Sequence, residues 1–216
     1  MQYTHVIFDL DGTLLNTLGD LTDAVNFSLS KRSYPTRTVE EVRQFVGNGV
    51  GKLIERALPE AHVGERDDCL ADFRVYYNDH MTVRTAPYDG IPALLDALTE
   101  RGVILGVLSN KYDPASRALV HHYFGKTRFA DIRGERAGVP RKPDPTAVRD
   151  MLTAFGTDAA HVLYVGDSGV DMQTAKNAGL FAVGVTWGFR SREILLENGA
   201  DVLIDTPMAL LDKLEM

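Results

Sequence analysis

Apolar residues recur along this chain at two different spacings, and the change between them divides the sequence into regions. Residues 3–8 form a short run rich in β-branched and aromatic side chains, which is typical of a buried strand. From about residue 16 to residue 83, apolar residues instead return every three or four positions, and no convincing strand interrupts them. Thr38-Val39-Glu40-Glu41 has the form of a helix-capping box. We therefore predict a small helical bundle in this second region.

From residue 87 onward, short apolar runs of strand length alternate with helical patterns. Asp113-Pro114 and Asp144-Pro145 each predict the start of a helix, with the aspartate as the N-cap residue. Gly156 follows one of these patterns, in the place where glycine commonly ends a helix. The predicted strands cover residues 103–108, 129–132, 162–165, 180–185 and 202–204.

Strands that alternate with helices pair in parallel through right-handed crossovers. The first strand has the same apolar character as the later ones, so we predict that it belongs to the same sheet. The predicted fold is α/β, with a parallel-sheet core made of residues 1–15 and 84–216. Residues 16–83 form a helical domain inserted after the first strand.

Small or charged polar residues follow the predicted strands or lie in the loops between them. In an open parallel sheet, ligands bind outside the carboxyl ends of the strands, so these side chains are expected at one edge of the sheet. This convergence predicts a functional site there. The residues are Asp9, Asp11 and Thr13 after the first strand, Ser109 and Asn110 after the second, Lys142 in a later loop, and Asp167, Ser168 and Asp171 after the fourth.

The types of these residues favour phosphoryl chemistry. Several carboxylates around one point repel each other unless a cation lies among them, and oxygen ligands favour Mg²⁺ over Zn²⁺. A cation, Lys142 and the Ser109 hydroxyl could together hold a phosphoryl group. One aspartate can then act as the nucleophile, while a second protonates the leaving oxygen and later activates water. Gly12 permits a sharp turn after the strand, and Thr13 can offer its hydroxyl to the phosphate.

Composition and charge narrow the classes of partner. The 216-residue chain carries a formal charge of −7 and has no Lys/Arg-rich run, which excludes a nucleic-acid footprint. We identify no signal peptide and no apolar run as long as a membrane helix, so no membrane partner is expected and the cytoplasm is the expected location. Cys69 is the only cysteine, so no internal disulfide forms. A small-molecule phosphate ester is the expected partner, with the chain either a monomer or a homodimer.

Four motifs in order along the chain resemble those of the haloacid dehalogenase superfamily. They are Asp9-Leu10-Asp11-Gly12-Thr13, Ser109-Asn110, Lys142-Pro143 and Gly166-Asp167-Ser168-Gly169-Val170-Asp171. Together they are far more specific than any one alone. The resemblance implies a Rossmann-like core, with the inserted helical domain acting as a cap over the site.

The resemblance also implies roles for individual residues. Asp9 is then the nucleophile and a Mg²⁺ ligand, and Asp11 is the general acid and base, with its carbonyl on the metal. Ser109, Asn110 and Lys142 bind the phosphoryl group or substrate. Asp167 supplies a second carboxylate ligand, and Asp171 supports the metal directly or through water. Because dehalogenases lack the acid/base aspartate, Asp11 favours a phosphatase.

Within the superfamily, the chain is similar to the phosphoglycolate phosphatases. The similarity lies in Phe45-Val46-Gly47-Asn48-Gly49, Leu53-Ile54-Glu55-Arg56-Ala57-Leu58, Leu108-Ser109-Asn110-Lys111 and Val185-Thr186-Trp187-Gly188-Phe189. Asn16 departs from the aspartate that many relatives carry there. We therefore expect a Mg²⁺-dependent phosphatase, with 2-phosphoglycolate as first choice and nucleotides, sugar phosphates and pyrophosphate as alternatives. A phosphosugar mutase of the β-phosphoglucomutase type is the rival enzyme, and a non-catalytic binding protein is the rival of another class.

The Gly47-Asn48-Gly49-Val50-Gly51-Lys52 stretch has two interpretations. It superficially resembles a phosphate-binding loop, but Val46 and Leu53 break the P-loop spacing. One interpretation is a flexible turn between helices. The other is a loop that recognises the part of the substrate beyond the phosphate, with Asn48 and Lys52 as the candidate residues.

Overall fold

The computed structural model describes residues 2–215, which divide into two compact units. One unit comprises the chain up to Leu15 and from Pro87 onward, and the other comprises Asn16–Ala86. None of the helices formed by residues 2–215 is long and apolar enough to cross a membrane. The elements in chain order are β1 (His5–Phe8), β2 (Leu15–Asn16), α1 (Leu18–Ser30), α2 (Val39–Phe45), α3 (Val50–Ala57), α4 (Arg66–His80), β3 (Ala86–Pro87), α5 (Ile91–Glu100), β4 (Ile104–Tyr112), α6 (Asp113–Phe124), β5 (Asp131–Glu135), α7 (Thr146–Phe155), β6 (Val162–Gly166), α8 (Gly169–Ala178), β7 (Phe181–Val185), α9 (Arg192–Glu197) and β8 (Val202–Ile204), with 3₁₀ helices at Glu60–Glu65, Ala159–His161 and Pro207–Glu215.

The first unit is built on a six-stranded sheet in the order β5-β4-β1-β6-β7-β8. Every pairing in it is parallel, and β1 lies between β4 and β6, with Phe8 opposite Val107 on one side and Val165 on the other. All four residues of β1 are buried, as expected for a strand covered on both faces by helices. The predicted α/β class and parallel sheet are confirmed.

The packing against the central strands is apolar. Ile7, Tyr164, Met151 and Met172 are fully buried and belong to one cluster that joins β1 and β6 to α7 and α8. Burying a side chain of this size contributes about 1.5–3 kcal/mol. This packing fixes the carboxyl ends of β1 and β6 relative to each other.

Near β4, α6 and α7, three local predictions differ from the structure. The second core strand continues beyond residue 108 to Tyr112, because Tyr112 pairs with Glu135 of β5. Asp113 is not an N-cap: its carboxylate accepts the Gly134 N–H at 2.9 Å and the Arg117 Nε–H at 2.7 Å. Asp144 is also not the N-cap residue of α7, because Pro145, one residue later, occupies that position.

The second unit is helical, with α1 to α4 packed around a core that includes Leu29, Ile54, Phe73 and Tyr77. The predicted capping box at Thr38 is confirmed: the Glu41 N–H donates to Thr38 Oγ1 at 3.2 Å, and the Thr38 N–H donates to Glu41 Oε2 at 2.8 Å.

The unit ends at Ala86 rather than at residue 83. The reason is that the N–H groups of Arg84 and Thr85 donate to the Asp20 carboxylate, at 2.8 and 2.9 Å. These bonds hold the returning chain against α1.

Candidate active site

Asp9 lies one residue beyond β1, at the carboxyl end of the central strand. Its N–H donates to the Val165 carbonyl at 2.9 Å, so the parallel pairing with β6 continues through it. The chain then turns at Gly12, which has a φ of +88°. An L side chain at Gly12 would place its Cβ 2.3 Å from Asp167 Oδ2. The turn therefore needs glycine, both for its conformation and for the approach of Asp167.

Three buried carboxylates meet at this edge of the sheet. Asp9, Asp167 and Asp171 each offer an oxygen, and the three oxygens lie within 4.8 Å of one another. Burial and the negative charge of Asp171 raise the pKa of Asp9 well above its usual value, although Lys142 acts in the opposite direction. An all-oxygen set with this much mutual repulsion fits a hard divalent cation.

Asp167 is held by the loop that follows β7. The Phe189 N–H donates to Asp167 Oδ2 at 2.7 Å. Burial and Asp171 nevertheless raise the pKa of Asp167 to about 7, because the Phe189 N–H only partly offsets them. A Cβ at Gly188 would lie 2.2 Å from the Cβ of Asp167. The backbone of this loop therefore packs directly against the Asp167 side chain.

Thr13 and Trp187 join the turn after β1 to the same region. The Thr13 hydroxyl donates to Asp167 Oδ1 at 3.3 Å, and the Trp187 indole N–H donates to the Thr13 carbonyl at 3.0 Å. Thr13 was predicted to offer its hydroxyl to a phosphate; the hydroxyl donates to Asp167 in this structure, and phosphate binding by Thr13 stays a prediction.

Asp171 is saturated by protein donors. Its Oδ1 accepts from Lys142 Nζ at 2.7 Å and from the Tyr164 hydroxyl at 3.3 Å. Its Oδ2 accepts from the N–H and the hydroxyl of Ser168, at 3.0 and 2.5 Å, in a capping box at the start of α8. Since both oxygens have donors, the arrangement favours a supporting role for Asp171 over direct contact with a cation.

Lys142 is a buried cation between two of these carboxylates. Its Nζ lies 2.9 Å from Asp9 Oδ1 and 2.7 Å from Asp171 Oδ1, and it donates to the Leu108 carbonyl at 3.1 Å. Burial alone would lower the pKa of Lys142, but the charges of Asp171 and Asp9 outweigh it and raise the pKa well above its usual value. Lys142 is therefore charged and lies beside the proposed nucleophile.

Asn110 fixes the backbone that carries this lysine. Its side-chain amide accepts the Lys142 N–H at 3.0 Å and donates to the Lys142 carbonyl at 3.2 Å. Asn110 was predicted to bind substrate or phosphate; the structure gives it this contact with the Lys142 backbone, and binding of substrate or phosphate stays a prediction. Ser109 and Asn110 also lie within β4 rather than after it, and both are buried.

Lys111 is a residue of the site that the sequence reasoning missed. Its Nζ lies 3.1 Å from Asp11 Oδ1 and 3.2 Å from Asp11 Oδ2. The side chain of Lys111 is only 4% exposed. Its position directly after Ser109-Asn110, at the end of an apolar strand, was the available signal.

Asn48 and Lys52 belong to the helical unit. Asn48 Oδ1 accepts a hydrogen bond from Arg56 at 2.9 Å, and Lys52 pairs with Glu55 at 2.7 Å. Gly49, with a φ of +83°, is the N-cap residue of α3, so the first half of the glycine-rich stretch precedes this helix and Val50, Gly51 and Lys52 form its first turn. Substrate recognition by Asn48 and Lys52 stays a prediction.

A family model described as haloacid dehalogenase-like hydrolase matches residues 6–185 of this chain. The chain belongs to this family. The match extends from β1 to the end of β7, so this haloacid dehalogenase-like hydrolase has the proposed site residues and the helical unit within the matched region. The resemblance drawn from the four motifs is thereby confirmed at the level of the family.

Relatives of this hydrolase are similar over nearly its whole length. It is 38% identical over 208 residues to a phosphoglycolate phosphatase of Rhodospirillum rubrum, covering 93% of this chain and 86% of the relative. A phosphoglycolate phosphatase of Mesorhizobium japonicum is 37% identical over 199 residues, which are 90% of this chain and 87% of the relative. The crystal structure of a predicted phosphoglycolate phosphatase from Haemophilus somnus superimposes with a TM-score of 0.90 at 27% identity, covering 99% of this chain and 98% of that one.

Proposed function

We propose that this hydrolase is a Mg²⁺-dependent phosphatase of small phosphomonoesters, with 2-phosphoglycolate as its best substrate. The observation that carries the proposal is the buried group of Asp9, Asp167 and Asp171 with Lys142 among them. The names of the relatives support the substrate class. The helical unit would act as the cap that admits the substrate.

The metal would be held by Asp9 and Asp167, with Asp171 supporting the site through Lys142 and Ser168. When bound, Mg²⁺ would neutralise charge on the phosphoryl oxygens. It would also offset the repulsion that raises the pKa of Asp9 and Asp167.

The chemistry proceeds by two displacements at phosphorus. A carboxylate oxygen of Asp9 attacks the phosphorus, and the bond from phosphorus to the ester oxygen breaks while Asp11 gives that oxygen a proton. Asp11, now a carboxylate, takes a proton from water as the water oxygen attacks the aspartyl-phosphate. The bond between Asp9 and phosphorus breaks, which releases inorganic phosphate and restores both aspartates.

Phosphate release from a panel of small esters, with and without Mg²⁺, tests the proposal. We expect 2-phosphoglycolate to exceed nucleotides and sugar phosphates by at least about 10-fold in kcat/KM, and EDTA to abolish release. Equal rates on all esters would refute the preference for 2-phosphoglycolate but would still support phosphatase activity. An isomerised sugar phosphate in place of free phosphate would indicate a mutase. No turnover at all would contradict the proposal that the chain acts as a phosphatase.

Mg²⁺ should also stabilise the protein, and more strongly at pH 8 than at pH 6. The cation needs carboxylates in their charged form, and protons compete for Asp167, whose pKa is raised to about 7. At a Mg²⁺ concentration 100-fold above Kd, the stabilisation is about 2.7 kcal/mol. Thermal denaturation with Mg²⁺ or EDTA at the two pH values measures it.

Two variants provide the comparison for this shift. Asp167→Asn should lose most of the Mg²⁺-dependent rise in Tm. Asp158→Asn, which changes an exposed carboxylate paired with His161, should keep it. A rise that is the same at both pH values, or that survives in Asp167→Asn, would show that the cation binds elsewhere.

A further inference from the structure

Lys111 is a second buried lysine at the site, and its partner differs from that of Lys142. Lys142 contacts Asp9 and Asp171, on the side where phosphorus is attacked. Lys111 contacts both oxygens of Asp11, at 3.1 and 3.2 Å, on the side where the leaving oxygen takes its proton. In the proposed mechanism, one cation thus lies beside the nucleophile and the other beside the acid/base aspartate.

The backbone of Lys111 is fixed by two short contacts. Its N–H donates to Ser109 Oγ at 3.2 Å, and its carbonyl accepts the Ser116 hydroxyl at 3.2 Å. Ser116 lies in α6, so the lysine is anchored both within β4 and to the following helix. With its side chain 4% exposed, the ammonium occupies a defined and largely dry position.

This position is within reach of the group attached to the leaving oxygen. An oxygen that takes a proton from Asp11 has to come within about 2.8 Å of that carboxylate. It then lies roughly 6 Å or less from the Lys111 ammonium, given a hydrogen bond of about 3 Å on each side of Asp11. When a carboxylate is attached to the carbon that bears the ester oxygen, its own carbon is two bonds from that oxygen. Those two bonds span most of the distance that remains between the ester oxygen and the Lys111 ammonium.

We propose that Lys111 determines specificity by pairing with a carboxylate on the carbon that bears the ester oxygen. The proposal rests on the proposed function and names the residue that would select its substrate class. The physical reason is the low exposure of the ammonium, which makes its attraction for an anion much stronger than in water. A chain with a net charge of −7 repels a substrate that carries both a phosphate and a carboxylate. A local cation is therefore required where the carboxylate lies.

A matched pair of esters tests Lys111 directly: 2-phosphoglycolate and the phosphoester of glycolamide, in which a neutral amide replaces the carboxylate. We expect the native enzyme to favour the carboxylate ester by about 10- to 100-fold in kcat/KM. Lys111→Met should reduce this ratio to about one, chiefly by losing activity on the carboxylate ester. Lys111→Arg should retain part of the ratio, and Lys176→Met, which removes an exposed lysine paired with Asp201, should retain all of it.

Binding provides a second readout that does not depend on turnover. In the Asp9→Asn background, calorimetry should show tighter binding of 2-phosphoglycolate than of the glycolamide ester, and Lys111→Met should remove the difference. If the native enzyme treats both esters alike, or Lys111→Met lowers both equally, Lys111 only positions Asp11 and the proposal is wrong, while the phosphatase stands. If neither ester releases phosphate, the proposed function fails, and the calorimetric preference still decides the role of Lys111. If Lys111→Met does not fold, Lys111→Arg decides it: an unchanged ratio in that variant would also show that the proposal is wrong.

Discussion

Replacing Asp9 with asparagine should lower phosphate release by at least about 10⁴-fold, because the amide cannot act as the nucleophile that forms the aspartyl-phosphate. The same change should make the metal-free protein more stable at pH 8. Burial and Asp171 raise the pKa of Asp9 well above its usual value, so the folded chain holds a proton on this carboxylate more tightly than the unfolded chain does. Ionising Asp9 in the folded state therefore costs free energy. The asparagine removes that cost.

The sign of this stability change depends on pH. Below the usual pKa of an aspartate, both folded and unfolded chains carry the proton and Asp9 contributes no difference. As the pH rises toward the raised pKa of Asp9, the native protein loses more stability than Asp9→Asn does. The gain in Tm in EDTA should accordingly be larger at pH 8 than at pH 5.

Kinetics and thermal denaturation on the same preparations check both effects. Asp158→Asn, an exposed carboxylate outside the cluster, should change neither activity nor Tm. Turnover by Asp9→Asn within 10-fold of the native rate would eliminate Asp9 as the nucleophile. A lower Tm at pH 8 would mean that pairing with Lys142 stabilises Asp9 more than its surroundings repel it.

The sequence is sufficient to predict the central strands of the sheet. Strands buried on both faces appear as continuous apolar runs, and β6, which is buried at all five positions, begins where its run begins. The end of β4 was missed because Ser109, Asn110 and Lys111 are polar, and polar residues in succession predict a loop. They lie in a strand because β4 continues through them to Tyr112, which pairs with Glu135 of β5.

The strand β5 was misplaced for a related reason. It begins at Asp131 and alternates half-buried and buried positions at the edge of the sheet. Its polar residues pair with each other and with neighbours, as Arg133 does with Asp131 at 2.7 Å. A prediction based on hydrophobicity alone therefore placed the strand too early, over the apolar residues just before β5.

Hydrogen-bond partners are the part of the site that the sequence does not specify. The Thr13 hydroxyl and the Asn110 amide can bind a ligand or another protein group equally well. In the structure they serve Asp167 and the Lys142 backbone. Lys111 was missed because a lysine is usually exposed, and only the fold buries it against Asp11.

Replacing Lys142 with methionine should be the most destabilising single change in the site. The lysine is the shared partner of two buried carboxylates, Asp9 and Asp171, and both would be left without it. Removing one member of a buried ion pair costs about 3–5 kcal/mol, since the charge that remains, here that of Asp171, is buried and has lost its cation. Activity should fall by about 10³-fold or more, because the cation beside the attacked phosphorus is gone.

The variants around Lys142 separate the loss of charge from the loss of packing. Lys142→Met retains the apolar length of the side chain, and adding Asp171→Asn to it should recover part of the lost stability, because one uncompensated carboxylate is removed. Lys176→Met should cost no more than about 1 kcal/mol, as expected for an exposed pair. Urea denaturation in EDTA measures all four proteins. If Lys142→Met unfolds at the same urea concentration as the native chain, the buried carboxylates are neutral in the metal-free protein, and the lysine then contributes to phosphoryl binding alone.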